Sequence, residues 1–206
     1  KAGITVLSHA TIEQFLQKST AKDRKHGDEH FDLISAFIKS MRGSDPDAVV
    51  YYLTRMLESG EDPLYVARRI VRFASEDIGL ADPQAMGVAV SCFQAVHFIG
   101  LPECTTSLAQ AAVYMAIAPK SNRIYLAYDS AKKEVARNPD LPVPFRLRNA
   151  VTPFMKESGY GKDYHYPHDS ESGFVLEPYL PESLQEQRFY VPSFIGKEKK
   201  IREYLE

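Results

Sequence analysis

Asp-Pro pairs constrain what this chain can fold into more than any other feature. They stand at Asp45-Pro46, Asp62-Pro63 and Asp82-Pro83. An Asp side chain accepts the free N–H groups at a helix start, and Pro at the first helical position gives up only a donor that would be unpaired anyway. Each pair therefore opens a helix, and the spacings of 17 and 20 residues leave room for one helix and one tight turn. In the middle helix Leu64, Ala67, Ile70, Val71, Ala74 and Ile78 recur at helical spacing as an apolar stripe. Arg68, Arg69 and Arg72 fall on the other side. A helix with a core face and a three-arginine face is built to meet more than solvent.

The same reading extends along the chain. Residues 1–7 read as an extended lead-in, and Ser8 caps a helix to about Lys18 with Ile12, Phe15 and Leu16 on one face. A polar loop leads to a helix over 31–41 that turns Phe31, Ile34, Phe37, Ile38 and Met41 inward and ends at Gly43. The helix after Asp45 buries Val49, Tyr52, Leu53, Met56 and Leu57. The helix from Asp82-Pro83 carries Met86, Val90, Phe93 and His97 to Gly100, and Pro102-Glu103 opens another through Ala118. Ser121 caps one more, to about Arg137. Short connections between seven such helices predict antiparallel neighbours, an all-α domain of stacked helical hairpins. No fixed-period repeat marks a solenoid.

After Asn138, prolines at 139, 142, 144, 153, 167, 178, 181 and 192 forbid long helices, apart from a short one opened by Thr152-Pro153. Tyr160, Tyr164, Tyr166, Tyr179 and Tyr190 stand among Gly and Pro. This reads as an irregular, aromatic-anchored arm with room for one small hairpin, packed on its own domain or a neighbouring subunit, with a terminal helix over 197–205. The expected division is 1–20, a helical domain over 21–138, and an arm over 139–206 belonging to the same domain.

Charge adds local information only. The chain has 25 Lys and Arg against 27 Asp and Glu, so no global field draws it to nucleic acid or membrane. Residues 119–162 hold nine basic against four acidic residues, whereas 163–187 hold six acids and no base. Cys92 and Cys104 fall within apolar helical patterns and read as buried free thiols, suited to a reducing, cytoplasmic compartment. There is no signal peptide and no apolar run of about 18 residues, so no membrane contact is expected.

Catalytic constellations are missing. His26 to His30 matches H-x-x-E-H, but Gly27 and Asp28 disfavour the required helix and no third ligand is evident. His165 and His168, with Asp163 and Asp169, read as loop hydrogen-bonding groups ahead of a metal or acid–base cluster. No G-x-S-x-G, phosphate-binding loop or dinucleotide fingerprint occurs. As it stands the chain is not expected to be an enzyme, and no cofactor or metal is expected in it. The remaining candidates are basic. Lys120, Arg123, Lys132, Lys133, Arg146 and Arg148, with Phe145 and Tyr125 nearby, have the composition of a phosphate-contacting surface. Arg68, Arg69 and Arg72 with Glu76 and Asp77 read as an interface or an internal ion-pair network, since Arg72 and Glu76 lie four apart.

Long stretches also resemble one family. The run DEHFDLISAFIKSMRGSDPDAVVYYLTRML and the run GEDPLYVARRIVRFASEDIGLADPQA are similar to the replication-associated recombination protein A (MgsA/RarA) family of AAA+ ATPases. So are AVYMAIAPKSN, VPFRLRNAVT, MKESGYGKDYHYPHD and FYVPSFIGKEKKIREYLE. That family is related to the Werner helicase-interacting ATPase, and the resemblance covers nearly the whole chain in order. Because family members carry an N-terminal AAA+ module and this chain starts at Lys1, it is expected to be a piece of something longer, with residues 1–20 the tail of the AAA+ lid. The resemblance implies a helical oligomerisation domain like the clamp-loader collar, assembled as a homotetramer. It also implies a DNA-dependent ATPase at stalled replication forks, nucleoid-associated, that interacts with single-strand DNA-binding protein. ATP and Mg would belong to the missing module, so no ATP-site residue transfers here. A monomeric helical scaffold binding partner proteins such as single-strand DNA-binding protein is the alternative.

Overall fold

The computed structural model describes residues 30–171 and 173–205. The expected helix after Ser8, the lid tail over 1–20, the polar loop and His26 lie outside them. Helix α1 covers residues 30–42. It is followed by α2 (Pro46–Glu58), α3 (Pro63–Phe73), α4 (Gln84–Ile99), α5 (Thr105–Ile117), α6 (Arg123–Arg137), α7 (Pro153–Glu157) and α8 (Glu198–Leu205). Among the described residues there is no strand, so the small hairpin allowed for the arm is not formed.

Two of the three Asp-Pro starts work as their chemistry dictates. Asp45 accepts from Ala48 N at 2.9 Å, and Asp62 accepts from Leu64 N and Tyr65 N at 2.9 and 3.1 Å. Thr152 does the same for α7 through Met155 N at 3.2 Å. The third start slips by one residue, and α4 begins at Gln84. Asp82 still accepts from Gln84 N at 3.2 Å, but its other carboxylate oxygen takes the Tyr114 hydroxyl of α5. A tertiary partner therefore competes with the cap. Pro102 does not open α5 either; residues 101–104 form a turn and the helix starts at Thr105.

The described residues divide into two compact units, one of those up to 125 together with those from 192 on, and one of 126–191. The division comes earlier than the composition change after Asn138. In the first unit α3 packs on α4, α4 on α5, and α5 also touches α2 and α3. Helix α5 is thus the central element, more so than the arginine helix. Its residues TTSLAQAAVYMAI carry no charge, as a helix surrounded by others requires. The core joins Leu33, Ile34, Phe37 and Met41 of α1 to Val49, Leu53 and Met56 of α2, Val66, Ala67, Ile70 and Phe73 of α3, and Leu108 and Met115 of α5.

Helical periodicity places the apolar face of α2 well and the others less well. Val49, Leu53 and Met56 are buried, with Tyr52 and Leu57 packed at the edge. Phe31 is 66 % exposed, against expectation, and Leu33 takes the inward place. On α3 the fully buried Val66 and Phe73 join the predicted stripe, while Leu64 and Val71 sit at its margin. On α4 the buried residues are Ala85, Ala89, Cys92 and Val96, one position away from the expected Met86, Val90, Phe93 and His97. Both sets have the same 4-3-4 spacing. Small side chains face inward because α4 lies against both α3 and α5, and close approach of helices favours small residues at the contact.

Candidate interaction surfaces

Each arginine of α3 finds its own partner close in sequence. Arg68 reaches Asp62 at 3.4 Å. Arg69 donates to the Tyr65 hydroxyl at 3.0 and 3.2 Å, with its guanidinium 5.0 Å from the ring centroid. Arg72 meets Glu76 at 2.6 Å, and this bond raises the arginine's already high pKa. Asp77 turns away from the arginine helix to Arg42 of α1, which donates through Nε at 2.5 Å and Nη2 at 3.1 Å. The turn is set by a π-helical stretch at Ala74–Ile78 that follows α3. One wider turn after Phe73 buries Ala74 and Ile78 and presents Asp77 to both α1 and the α5–α6 connection. Gly79 ends it at φ 53°, where a Cβ would lie 3.1 Å from Ser121 O. Of these residues Arg72 and Glu76 pair with each other, while Arg68, Arg69 and Asp77 each take a different partner.

Beside Arg68 the surface becomes apolar. Arg68 and Val71 of α3 and Val90 and Phe93 of α4 line an open, apolar cavity of about 270 Å³. Met86 and Val90 are 37 % and 40 % exposed on the same face of α4. Two of the residues expected in the core, Met86 and Val90, thus lie on an exposed carbon surface, while Phe93 is half-buried against the core. Helix α6 has no buried residue, and Ile124, Tyr125, Leu126 and Tyr128 along it are exposed. Apolar surface gathered this way is a usual mark of protein–protein contact.

The basic candidates are divided between the two units. Lys120 and Arg123 belong to the first unit, and Lys132, Lys133, Arg146 and Arg148 to the second. Lys120 Nζ donates to Ala116 O at 2.8 Å, Ala118 O at 2.6 Å and Ser44 Oγ at 3.3 Å. It closes the end of α5, and burial pushes its amine below the ordinary lysine value. Arg123 and Lys132 are exposed, and Lys133 pairs with Asp129 at 2.7 Å. Arg146 binds Glu177 at 3.1 Å and lies 5.5 Å from the Tyr179 ring centroid. Arg148 donates to Val143 O at 2.7 Å and stacks 4.4 Å over Phe145 and 5.3 Å over Tyr160. These two arginines tie together the irregular second unit, where they line an open cavity of about 740 Å³ with Leu141, Pro144 and Leu180.

Among the described histidines, His30 and His165 are used as hydrogen-bonding groups. His30 pairs with Glu61, His165 pairs with Glu177, and the His168 ring lies 5.0 Å from that of Tyr166. Among the described residues no three His, Cys, Asp or Glu gather to hold a metal ion. Cys92 and Cys104 are free and buried, and Cys92 donates to Ser107 O at 3.4 Å. Burial pushes the Cys92 thiol up to about 11. A thiol kept protonated in the native state contributes stability below the ordinary thiol range and loses it as pH rises toward 11. At pH 8 a thiol-specific reagent is expected to modify Cys92 at least about tenfold more slowly in the native chain than in urea. Equal rates would show an accessible, ionisable thiol.

One central residue had no sequence signal. Glu198 stands in the charged run GKEKKIRE, which reads as a solvated helix, yet it is fully buried. It accepts from Ser121 Oγ at 2.6 Å and from Ser193 N at 2.9 Å.

Comparison with known proteins identifies the family. The family described as "MgsA AAA+ ATPase C terminal" matches residues 43–206, and that described as "AAA C-terminal domain" matches residues 1–42. A Coxiella burnetii protein named replication-associated recombination protein A is 48 % identical over 99 % of this chain and 47 % of its own length. The Escherichia coli K12 protein of the same name is 43 % identical over 99 % of this chain and 46 % of its own. A Dictyostelium discoideum protein named ATPase WRNIP1 is 47 % identical over 90 % of this chain and 21 % of its own. The chain thus spans less than half of each of these relatives. No described helix is long and apolar enough to cross a membrane.

Proposed function

The chain belongs to the MgsA AAA+ ATPase C-terminal family, and we propose that it serves as the oligomerisation domain of the whole protein, a helical collar that assembles a homotetramer. The observation that supports this most is the α3–α4 surface. Val71, Val90 and Phe93 line an apolar cavity, and Met86 continues the exposed face, with Arg68 at the rim. Depletion of charge at the centre with arginine at the edge is the ordinary composition of a protein interface. The uncovered apolar side chains of α6 offer further area.

In this reading the ATPase chemistry, with ATP and Mg, belongs to the AAA+ module that relatives carry beyond the matched length. The whole protein would be a DNA-dependent ATPase maintaining stalled replication forks, with single-strand DNA-binding protein among its partners. Contact of this chain with DNA would rest on Arg123 and Lys132, which are exposed, ahead of Lys120, Arg146 and Arg148, which hold structure. A monomeric scaffold binding partner proteins is the second reading, favoured by the cavity between residues 141–148 and 178–185 of the second unit.

Sedimentation at micromolar concentration separates the two. The chain is expected to form tetramers, and Met86→Asp with Val90→Asp is expected to weaken assembly by about 10- to 100-fold, from 1–3 kcal/mol lost at a packed apolar contact. Both side chains are exposed, so the variant's melting temperature should stay within a few degrees of the parent. A strict monomer would sink the assembly reading. Capture of single-strand DNA-binding protein by that monomer would establish the scaffold.

A further inference from the structure

The polypeptide leaves the first compact unit beyond Tyr125 and returns to it at Pro192. Close to both crossing points it is tied to one side chain. Oε2 of Glu198 accepts Ser121 Oγ–H at 2.6 Å and Ser193 N–H at 2.9 Å, so the two donors lie within about 5.5 Å of each other. Each is held from behind as well. Ser121 N donates to Asp77 O at 2.8 Å, and Arg123 N donates to Ser121 Oγ at 3.3 Å. On the returning side Ile195 N donates to Ser193 Oγ at 3.1 Å and Lys197 N to Ala81 O at 2.8 Å.

Of the α8 residues Glu198–Leu205, the glutamate is the one that is buried, and Ile201 is only half-buried. A hydrogen-bonded carboxylate thus takes the inward place that an apolar residue fills in most amphipathic helices. Placing that carboxylate in the first turn of α8 also sets it where the helix dipole favours negative charge. A buried carboxylate deprived of its donors is strongly unfavourable, so the contact is held closed or lost as a whole.

We propose that Glu198 is a latch that closes residues 122–192 into a loop, making the second unit a removable insertion in the first and not a C-terminal extension of it. Residues 192–205 are then the closing piece of the first unit. Disturbing α8 would open the loop at its ends without unfolding the α2–α5 core.

Hydrogen exchange on the full chain reads this directly. In Glu198→Ala the amides of Ser193, Lys197 and Arg123 should exchange at least tenfold faster, with α2–α5 unchanged, while Ser121→Ala, which removes the Ser121 donor and leaves that of Ser193, shows a smaller rise at the same amides. Unchanged rates at Ser193 and Lys197, or an equal rise throughout α2–α5, would overturn the latch. Replacing residues 126–191 by a Gly/Ser linker of about eight residues should leave a helical protein that unfolds cooperatively. A deletion variant that fails to fold would show that the second unit is an integral part of the first.

Discussion

Phe37→Ala is expected to destabilise the first unit by about 3–5 kcal/mol, the cost of removing a fully buried aromatic side chain and leaving its cavity. Denaturant unfolding followed by helical circular dichroism measures it, as a fall in the midpoint at unchanged slope. The size of the effect bears on where the functional domain begins. Phe37 lies in α1, inside the stretch 1–42 that matches the AAA C-terminal domain and ahead of the 43–206 match. If the boundary between the matches were also a boundary between folded bodies, the substitution would leave α2–α5 intact and cost under about 1 kcal/mol of their stability. The packing says otherwise. Leu33, Ile34, Phe37 and Met41 share one core with α2, α3 and α5, and Arg42 clasps Asp77 just beyond α3. Only Gly43, Ser44 and Asp45 separate α1 from α2. A helix inside the 1–42 match is thereby built into the same core as α2, α3 and α5.

Gly196→Ala is the second large effect, expected to cost about 3–5 kcal/mol. Gly196 has φ 57°, and a Cβ there would come within 2.2 Å of Ala81 O and 2.9 Å of its carbonyl carbon. A side chain at positive φ costs about 1–2 kcal/mol by itself. Relief of the collision must also move residues 193–198 off Ala81, and with them the Lys197 N–Ala81 O bond and the donors on Glu198, each worth about 1 kcal/mol or more. Gly60 supplies the control. Its φ is 85° but a methyl group added there would meet nothing within 4 Å, so Gly60→Ala should cost only about 1–2 kcal/mol. Equal losses at the two glycines would mean that the contact with Ala81 is not the source.

Local chemistry makes part of this legible in the sequence. Asp45, Asp62 and Thr152 cap helices because the donors they serve lie two or three residues away, and among the described residues no group from another helix is bonded to them. Asp82 shows the limit, since Tyr114 and Lys197 approach its carboxylate from elsewhere and its helix starts one residue late. Periodicity locates α2 and α3 and most of their buried faces. It cannot choose between the two faces of α4, because both repeat at 4-3-4 and the larger residues are the ones left outside. The candidate site suffers for the same reason: periodicity assigns Met86 and Val90 to the core, whereas they belong to the exposed apolar surface. Charge alone marks Lys120, Arg146 and Arg148 as phosphate candidates, but it does not show that they also bond carbonyls, a carboxylate and aromatic faces within their own units.

By itself, then, the sequence determined the helical class, the positions of most helix starts, the family and the absence of a recognised catalytic motif in the chain. All of these follow from interactions spanning a turn or so of backbone, or from long motifs read directly. Only the tertiary structure decided which face of α4 is covered, that α5 and not α3 is central, and that Glu198 is buried. Glu198 and Ser121 stand 77 residues apart, and a charged residue in a charged run gives no sign of a partner at that distance. Burial of a carboxylate depends on donors brought to it by the rest of the fold, so no local pattern could have announced it.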